Sequence, residues 1–232
     1  MCGRFSLVRD GTRLLASFPG FTFPDNPPQR YNIAPSLQVL AVPNDGSRAA
    51  RAFEWGLIPF WAKDPKIGSR MINARCETLA EKPSFREAYK HRRCLIPADG
   101  FYEWRKENSG GRKTPMYVRL RSGLAFAFAG LWEFWRAPDG TSRQTCAIIT
   151  SQPNALMAGI HDRMPVILSV EAYDAWLDPA PRSPGGPDPI LVPFPAERME
   201  AHPVSDHVNN PRNDSPECIR PADGPKDTGF LF

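Results

Sequence analysis

Twenty-six prolines in 232 residues punctuate this chain so densely that no long helical bundle fits it. Proline fixes φ and removes a backbone donor, so ordered elements must be short and joined by defined turns. Between the prolines lie segments rich in β-branched and aromatic residues: Gln38–Val42, Arg51–Leu57, Cys94–Arg105, Met116–Leu120, Leu124–Arg136, Gln144–Thr150 and Met199–Val204. The turn sequences Asn44-Asp45-Gly46, Ser109-Gly110-Gly111 and Pro138-Asp139-Gly140 separate them, which predicts hairpins and an antiparallel sheet. Helices are few. Ser84-Phe85-Arg86-Glu87 has the form of a capping box and predicts a helix to about Arg93. A second is expected over Val170–Leu177, with Ser169 as N-cap and Pro179 beyond its end, and a shorter turn after Pro153. Residues 179–195 hold seven prolines and a Gly-Gly pair, and read as a loop. The expectation is one β-rich α+β domain over residues 1–232, with its core in about 2–221 and an irregular tail from 222.

Hydrophobic residues at 41% and charged residues at 23% describe an ordinary globular protein. The five cysteines are odd in number, far apart and free of C-x-x-C pairs, which argues against a disulfide framework or structural zinc. A reducing compartment fits: the cytoplasm of a bacterium, or the nucleus of a eukaryote. His202 and His207 are five apart, a poor metal spacing, so neither metal nor cofactor is expected. No signal pattern opens the chain and no apolar run approaches the ~18 residues of a membrane span, so no membrane partner is expected. Net charge is a mild +4, but 22 of the 29 basic residues are Arg. Guanidinium binds phosphate bidentately and stacks on bases, which suits nucleic acid. A GC-rich genome would leave the same bias.

Cys2 occupies the one position that removal of the initiator Met turns into a free N-terminus. Processed, it would carry a thiol and an α-amine on adjacent carbons. The amine, with a reference pKa near ~8, is nucleophilic at cellular pH. The pair can attack one aldehyde carbon twice, forming an imine and then a thiazolidine ring. No internal cysteine can do this.

Three other segments offer polar chemistry. Met71-Ile72-Asn73-Ala74-Arg75, if extended, turns Met71, Asn73 and Arg75 to one face, where an amide beside a guanidinium can clamp a sugar and a phosphate. A turn Asn and a solvated Arg explain the same residues. In Asp99-Gly100-Phe101-Tyr102-Glu103-Trp104, alternation puts Glu103 on the face of Phe101 and Arg105, opposite Tyr102 and Trp104. A carboxylate beside apolar rings is desolvated and suits proton transfer, although pairing with Arg105 on a wet face is the plainer account. His161, after Gly159-Ile160 and before Pro165, is a candidate acid/base or an ordinary loop residue. In Trp55-Gly56-Leu57-Ile58-Pro59-Phe60-Trp61 some rings must be core, and an exposed Trp would stack on a base.

Taken in order, Met-Cys-Gly-Arg-Phe, Arg30-Tyr31-Asn32-Ile33-Ala34-Pro35, Trp55–Pro59, Asn73-Ala74-Arg75-Cys76-Glu77-Thr78, Asp99–Trp104, Ile160-His161-Asp162-Arg163-Met164-Pro165 and His202-Pro203-Val204-Ser205 resemble the SOS response-associated peptidase (SRAP) family across nearly the whole chain. The resemblance implies a barrel-like antiparallel sheet with peripheral helices and a basic cleft for single-stranded DNA. It implies a protein that crosslinks to abasic sites in that DNA, acting as a monomer. By motif, Cys2 is the crosslinking nucleophile, and Asn73, Glu103 and His161 complete the catalytic set. Arg4, Asn32, Pro35, Trp61, Arg75 and Arg163 fall where the family meets DNA, and Thr150 falls near the catalytic set and is counted with them. Abasic-site lyase activity and self-cleavage before Cys2 are further implications. One departure is Trp61-Ala62, where some relatives carry two consecutive Trp residues.

Two rival readings come from other classes. Glutaminase domains of class II amidotransferases also begin Met-Cys-Gly, with the α-amine as base and the thiol as nucleophile. They usually continue with Ile and carry an Asn-Gly oxyanion segment that this chain lacks. A non-catalytic single-stranded DNA-binding module would need neither Cys2 nor Glu103.

Overall fold

The computed structural model describes residues 2–9, 11–107, 111, 113–137, 139–182 and 188–222. In chain order its elements are β1 (Phe5–Leu7), α1 (Gly11–Ser17), β2 (Arg30–Ile33), β3 (Gln38–Pro43), β4 (Arg51–Trp55), β5 (Asn73–Arg75), α2 (Arg86–His91), β6 (Arg93–Ala98), β7 (Gly100–Lys106), β8 (Lys113–Leu120), β9 (Phe126–Arg136), β10 (Ser142–Ser151), α3 (Ala155–Ala158), β11 (Met164–Pro165), β12 (Ile167–Leu168), α4 (Tyr173–Leu177) and β13 (Met199–Pro203), with short 3-10 turns between them.

Five strands close into a barrel in the order β10-β4-β3-β6-β9, because β9 pairs back onto β10 from Ser142↔Arg136 to Ile148↔Gly130. Its pairings are antiparallel except β10–β4, and β5 also joins β10 in parallel. These two pairings depart from a purely antiparallel sheet: the excursion through residues 56–72 returns the chain to β10 in the β4 direction. Closure removes two sheet edges that would otherwise be open to pairing. The second sheet is antiparallel, in the order β13-β8-β7-β1-β2. Phe5 and Phe101 of this sheet meet Trp55 and Phe128 of the barrel edge to face, with Phe5 5.1 Å from Trp55 and 5.7 Å from Phe128. That aromatic seam is the centre of the core.

The segment Cys94–Arg105, expected as one strand, is two strands in different sheets. Asp99, the residue between them, accepts hydrogen bonds from Ser6 Oγ and Val8 N, each at 2.6 Å, and so ties the break to β1. Gly100 follows because a Cβ there would sit 2.2 Å from the Tyr117 ring. The capping box at Ser84 does not form. The helix begins at Arg86 with Phe85 at its N-cap and no side-chain cap, since Ser84 belongs to the preceding turn. The helix after Ser169 is present as a 3-10 turn, Val170–Ala172, running into α4, and α3 follows Pro153 with an Asn154 cap. The turn residues Ser109, Gly110 and Pro138, residues 183–187 of the proline-rich loop and the tail from 223 lie outside the described residues.

Candidate functional site

β1 brings the start of the chain onto β7. Phe5 registers with Phe101, Tyr102 N donates to Arg4 O at 2.9 Å, and Asp99 N donates to Ser6 O at 3.0 Å. Cys2, three residues before β1 begins, is thereby fully buried beside β7, the strand that carries Glu103. Its thiol lies 3.8 Å from Arg4 O, and burial, reinforced by the Glu103 charge, pushes the thiol pKa up.

The face predicted for Glu103 is the one observed. Phe101 packs in the main core, Tyr102 and Trp104 belong to a separate cluster with Tyr117, and Glu103 is 3% exposed. Burial raises the Glu103 carboxyl pKa, with His161 acting in the opposite direction. His161 Nε2 is 3.9 Å from Glu103 Oε2. On its other side, His161 Nδ1 is 3.1 Å from the Arg163 N–H and 2.8 Å from Asp162 Oδ1. The same ring nitrogen can accept from Arg163 N or, when it carries the proton, donate to Asp162.

Asn73 reaches the same point from the barrel. β5 lies along β10 with Asn73 opposite Ile148 and Arg75 opposite Thr150. Asn73 Nδ2 donates to Cys2 O at 2.7 Å. Its Oδ1 is buried with no hydrogen-bond partner among the described residues, an acceptor available to a substrate hydroxyl. The four residues expected to be catalytic are thus gathered around Cys2 from both sheets and the loop after α3. That loop is held by α3, whose Met157 O accepts from His161 N at 2.8 Å.

The residues expected to meet DNA are dispersed and differently engaged. Arg163 is buried, with its guanidinium donating to both Glu77 oxygens at 2.6 and 2.9 Å and to Thr150 O at 2.7 Å. The Arg163 hydrogen bonds hold the Glu77 carboxyl down at about 2. Arg4 donates to Asn32 Oδ1 at 2.7 Å and Val208 O at 2.8 Å, and its guanidinium lies 5.9 Å from the Trp104 ring centre. Asn32 is fully buried, and its Nδ2 donates to the carbonyls of Val208, Asn210 and Asn213. Thr150 is buried beside Arg163, and Pro35 is half-buried before Ser36, whose φ is +70°. Trp61 and its neighbour Phe60 are about half exposed, and Arg75 is exposed. Glu77 and Asp162 join the site without having been singled out. Both stand inside the motifs quoted above, but only the fold brings Glu77 to Arg163.

Among the described residues no group of three or more His, Cys, Asp or Glu is placed to hold a metal, and no helix is long and apolar enough to cross a membrane. A barrel-side amide and a buried carboxylate beside an imidazole thus converge on Cys2, and these residue types can carry acid/base and nucleophilic chemistry.

Comparison with known proteins identifies the family of the chain. The chain is 49% identical to the abasic site processing protein YoqW of Bacillus subtilis over 222 residues, covering 94% of this chain and 99% of the relative. It is 32% identical to the abasic site processing protein HMCES of Rattus norvegicus, covering 96% of this chain and 76% of that protein. A crystal structure of a Bacteroides thetaiotaomicron protein superposes with a TM-score of 0.81 at 27% identity, covering 95% of this chain and 100% of that one. The family model for the SOS response associated peptidase matches residues 1–211. The chain therefore belongs to the SRAP family.

Proposed function

We propose that this protein, acting as one SRAP domain and as a monomer, captures abasic sites in single-stranded DNA as a covalent thiazolidine on Cys2. The observation that carries the reading is the convergence of Asn73, Glu103 and His161 on the residue whose amine and thiol would react. The names of the relatives support the substrate.

An abasic deoxyribose is mostly a closed hemiacetal. His161 transfers the proton that opens it, releasing the C1′ aldehyde. With Met1 removed, the Cys2 amine adds to C1′ and the carbinolamine loses water, giving an imine. The thiol then adds across the C=N bond. Its sulfur bonds to C1′ and a proton passes to nitrogen, so the ring closes with one water released overall. Glu103, buried beside His161, takes the amine proton and returns it during ring closure. Asn73 orients the residue 2 main chain through its amide and offers Oδ1 to a sugar hydroxyl. Holding thiol and imine together makes closure unimolecular, where effective molarities reach ~10⁵ M in well-oriented systems. An imine at C1′ also permits β-elimination, so slow strand cleavage accompanies capture. The amine that attacks is an amide until Met1 leaves, which ties activity to removal of that residue.

The test is incubation with an oligonucleotide bearing one abasic site, followed by a denaturing gel. A heat-stable adduct that Cys2→Ser abolishes supports the reading. Equal adduct formation by Cys2→Ser, or none by protein whose intact mass shows Cys2 at the N-terminus, overturns it.

A further inference from the structure

Two of the three arginines that the motifs single out do not face solvent. Arg4 and Arg163 are turned inward onto Asn32, Val208, Glu77 and Thr150. Phosphate binding through either would mean exchanging a satisfied internal partner for an external one. Of the three motif arginines only Arg75 is exposed, and the segment leading to it carries the other cations.

From Trp61 to Arg75 the chain bears Lys63, Lys66, Arg70 and Arg75 against one carboxylate, Asp64. This stretch alone holds three of the four net positive charges of the molecule. All four cationic residues are exposed, and their side chains make no ion pair or hydrogen bond among the described residues. A solvated charged face would usually explain such a run, but this segment is also fixed in place.

Its middle is a 3-10 helix, Pro65–Arg70, where Asp64 accepts from Lys66 N at 2.9 Å. Gly68 presses on Gly56 so closely that a Cβ on either would meet the other's carbonyl oxygen at 2.7 Å. Leu57 N donates to Met71 O at 3.1 Å, Trp55 Nε1 to Ile72 O at 3.0 Å, and Trp135 Nε1 to Ala62 O at 2.7 Å. The segment is therefore pinned along the barrel, and its outer side presents cations on a fixed backbone. One end carries the exposed Trp61 ring, and the other is Asn73, in contact with Cys2. With a rise of about 2.0 Å and three residues per turn, Lys66 and Arg70 are ~8 Å apart along the 3-10 axis and about 120° apart around it, so their long side chains must swing to meet one strand.

We propose that residues 61–75 form a phosphate-binding rail, with Lys63, Lys66 and Arg70 contacting the backbone of the DNA strand between the Trp61 ring and Cys2. The rail rests on the abasic-DNA reading for its ligand and adds the path by which the strand is held. Because the contacts are to phosphates, they carry no base preference.

The experiment measures fluorescence anisotropy of an unmodified single-stranded thymidine 20-mer over a salt series, so that crosslinking does not enter. Each neutralised phosphate contributes about 0.7 to the slope of log K against log[salt]. The triple variant Lys63→Gln, Lys66→Gln, Arg70→Gln should flatten that slope by about 2 and weaken binding roughly 100-fold at 0.1 M salt. Removing the same charge from Lys82, Arg86 and Lys90, which are also exposed, should leave the slope within error of wild type. Crosslinking at saturating abasic DNA should be unchanged in the Lys82, Arg86 and Lys90 control variant. An unaltered slope in the first variant, or an equal loss in the second, overturns the rail, and an acidic protein surface then becomes the better occupant. Wild-type protein that binds the 20-mer but never forms an adduct with abasic DNA would sink the functional reading and leave the rail standing. No binding at all would sink both.

Discussion

Replacing Glu77 by Gln removes the carboxylate that holds Arg163, and with it the tie between the turn after β5 and the His161 loop. The size of the effect follows from the geometry. The Glu77 carboxyl is held at about 2, against an ordinary 4.5. At about 1.4 kcal/mol per pKa unit that difference corresponds to ~3 kcal/mol as an upper bound. The Glu77 side chain is 41% exposed while Arg163 is 8% exposed. Solvent screening on the Glu77 side therefore reduces the expected loss to about 1–2 kcal/mol. Arg163 keeps its bond to Thr150 O, so its charge is not stranded outright. The folded-state pKa is depressed, so the stabilisation is present above pH 4.5 and lost as pH falls toward 2. At pH 3 roughly half or more of it should be gone. Urea unfolding of wild type and Glu77→Gln at pH 7 and pH 3 measures this directly. The two proteins should differ clearly at pH 7, and the gap should shrink to about half or less at pH 3. Equal midpoints at pH 7, or a gap that widens on acidification, would refute the argument that Arg163 is clamped by Glu77.

Three other expectations concern the site and its surroundings. Glu103→Gln should slow adduct formation by about 10²–10⁴-fold with DNA affinity unchanged. Because burial raises the Glu103 pKa, ionised Glu103 disfavours the folded state above its unfolded pKa, so the same variant should unfold at equal or higher denaturant at pH 7; a clearly lower midpoint would contradict that. Asn32→Ala removes three hydrogen bonds to the carbonyls of Val208, Asn210 and Asn213 and should cost ~2–4 kcal/mol by denaturant titration, with proteolysis appearing first in residues 208–213; a neutral variant would show the segment is held otherwise. Trp61→Ala, at a ring 48% exposed, should leave stability within error but weaken single-stranded DNA binding by about 1–3 kcal/mol, and unchanged affinity would remove the ring from the strand path.

Strand placement was readable wherever β-branched and aromatic residues were concentrated over five or more positions, as in β3, β4, β9 and β10. Three-residue β1 and β5 carry too few positions for a period, and it is pairing with Phe101 and Ile148 that makes them strands. The split at Asp99 was hidden for a similar reason. Its cause is a carboxylate reaching Ser6 and Val8, more than ninety residues back in the chain. The catalytic candidates could be picked out only by their joint order, since a lone Asn, Glu or His has ordinary structural uses. Their burial and mutual distances come from tertiary packing. The same packing turns Arg163 and Asn32 inward, although a guanidinium or an amide in a loop reads from sequence as a group facing solvent.

The aromatic seam between the two sheets also governs when the chemistry is available. Asn73 comes from the barrel and Glu103 from the other sheet, while Phe5, three residues after Cys2, is wedged between Trp55 and Phe128 of the barrel. The nucleophile is made first, but its partners arrive about seventy, one hundred and one hundred and sixty residues later in synthesis. In the proposed mechanism, Cys2 therefore lacks Asn73, Glu103 and His161 until the two sheets dock. On that reading, folding serves as the safety catch on an aldehyde-reactive terminus.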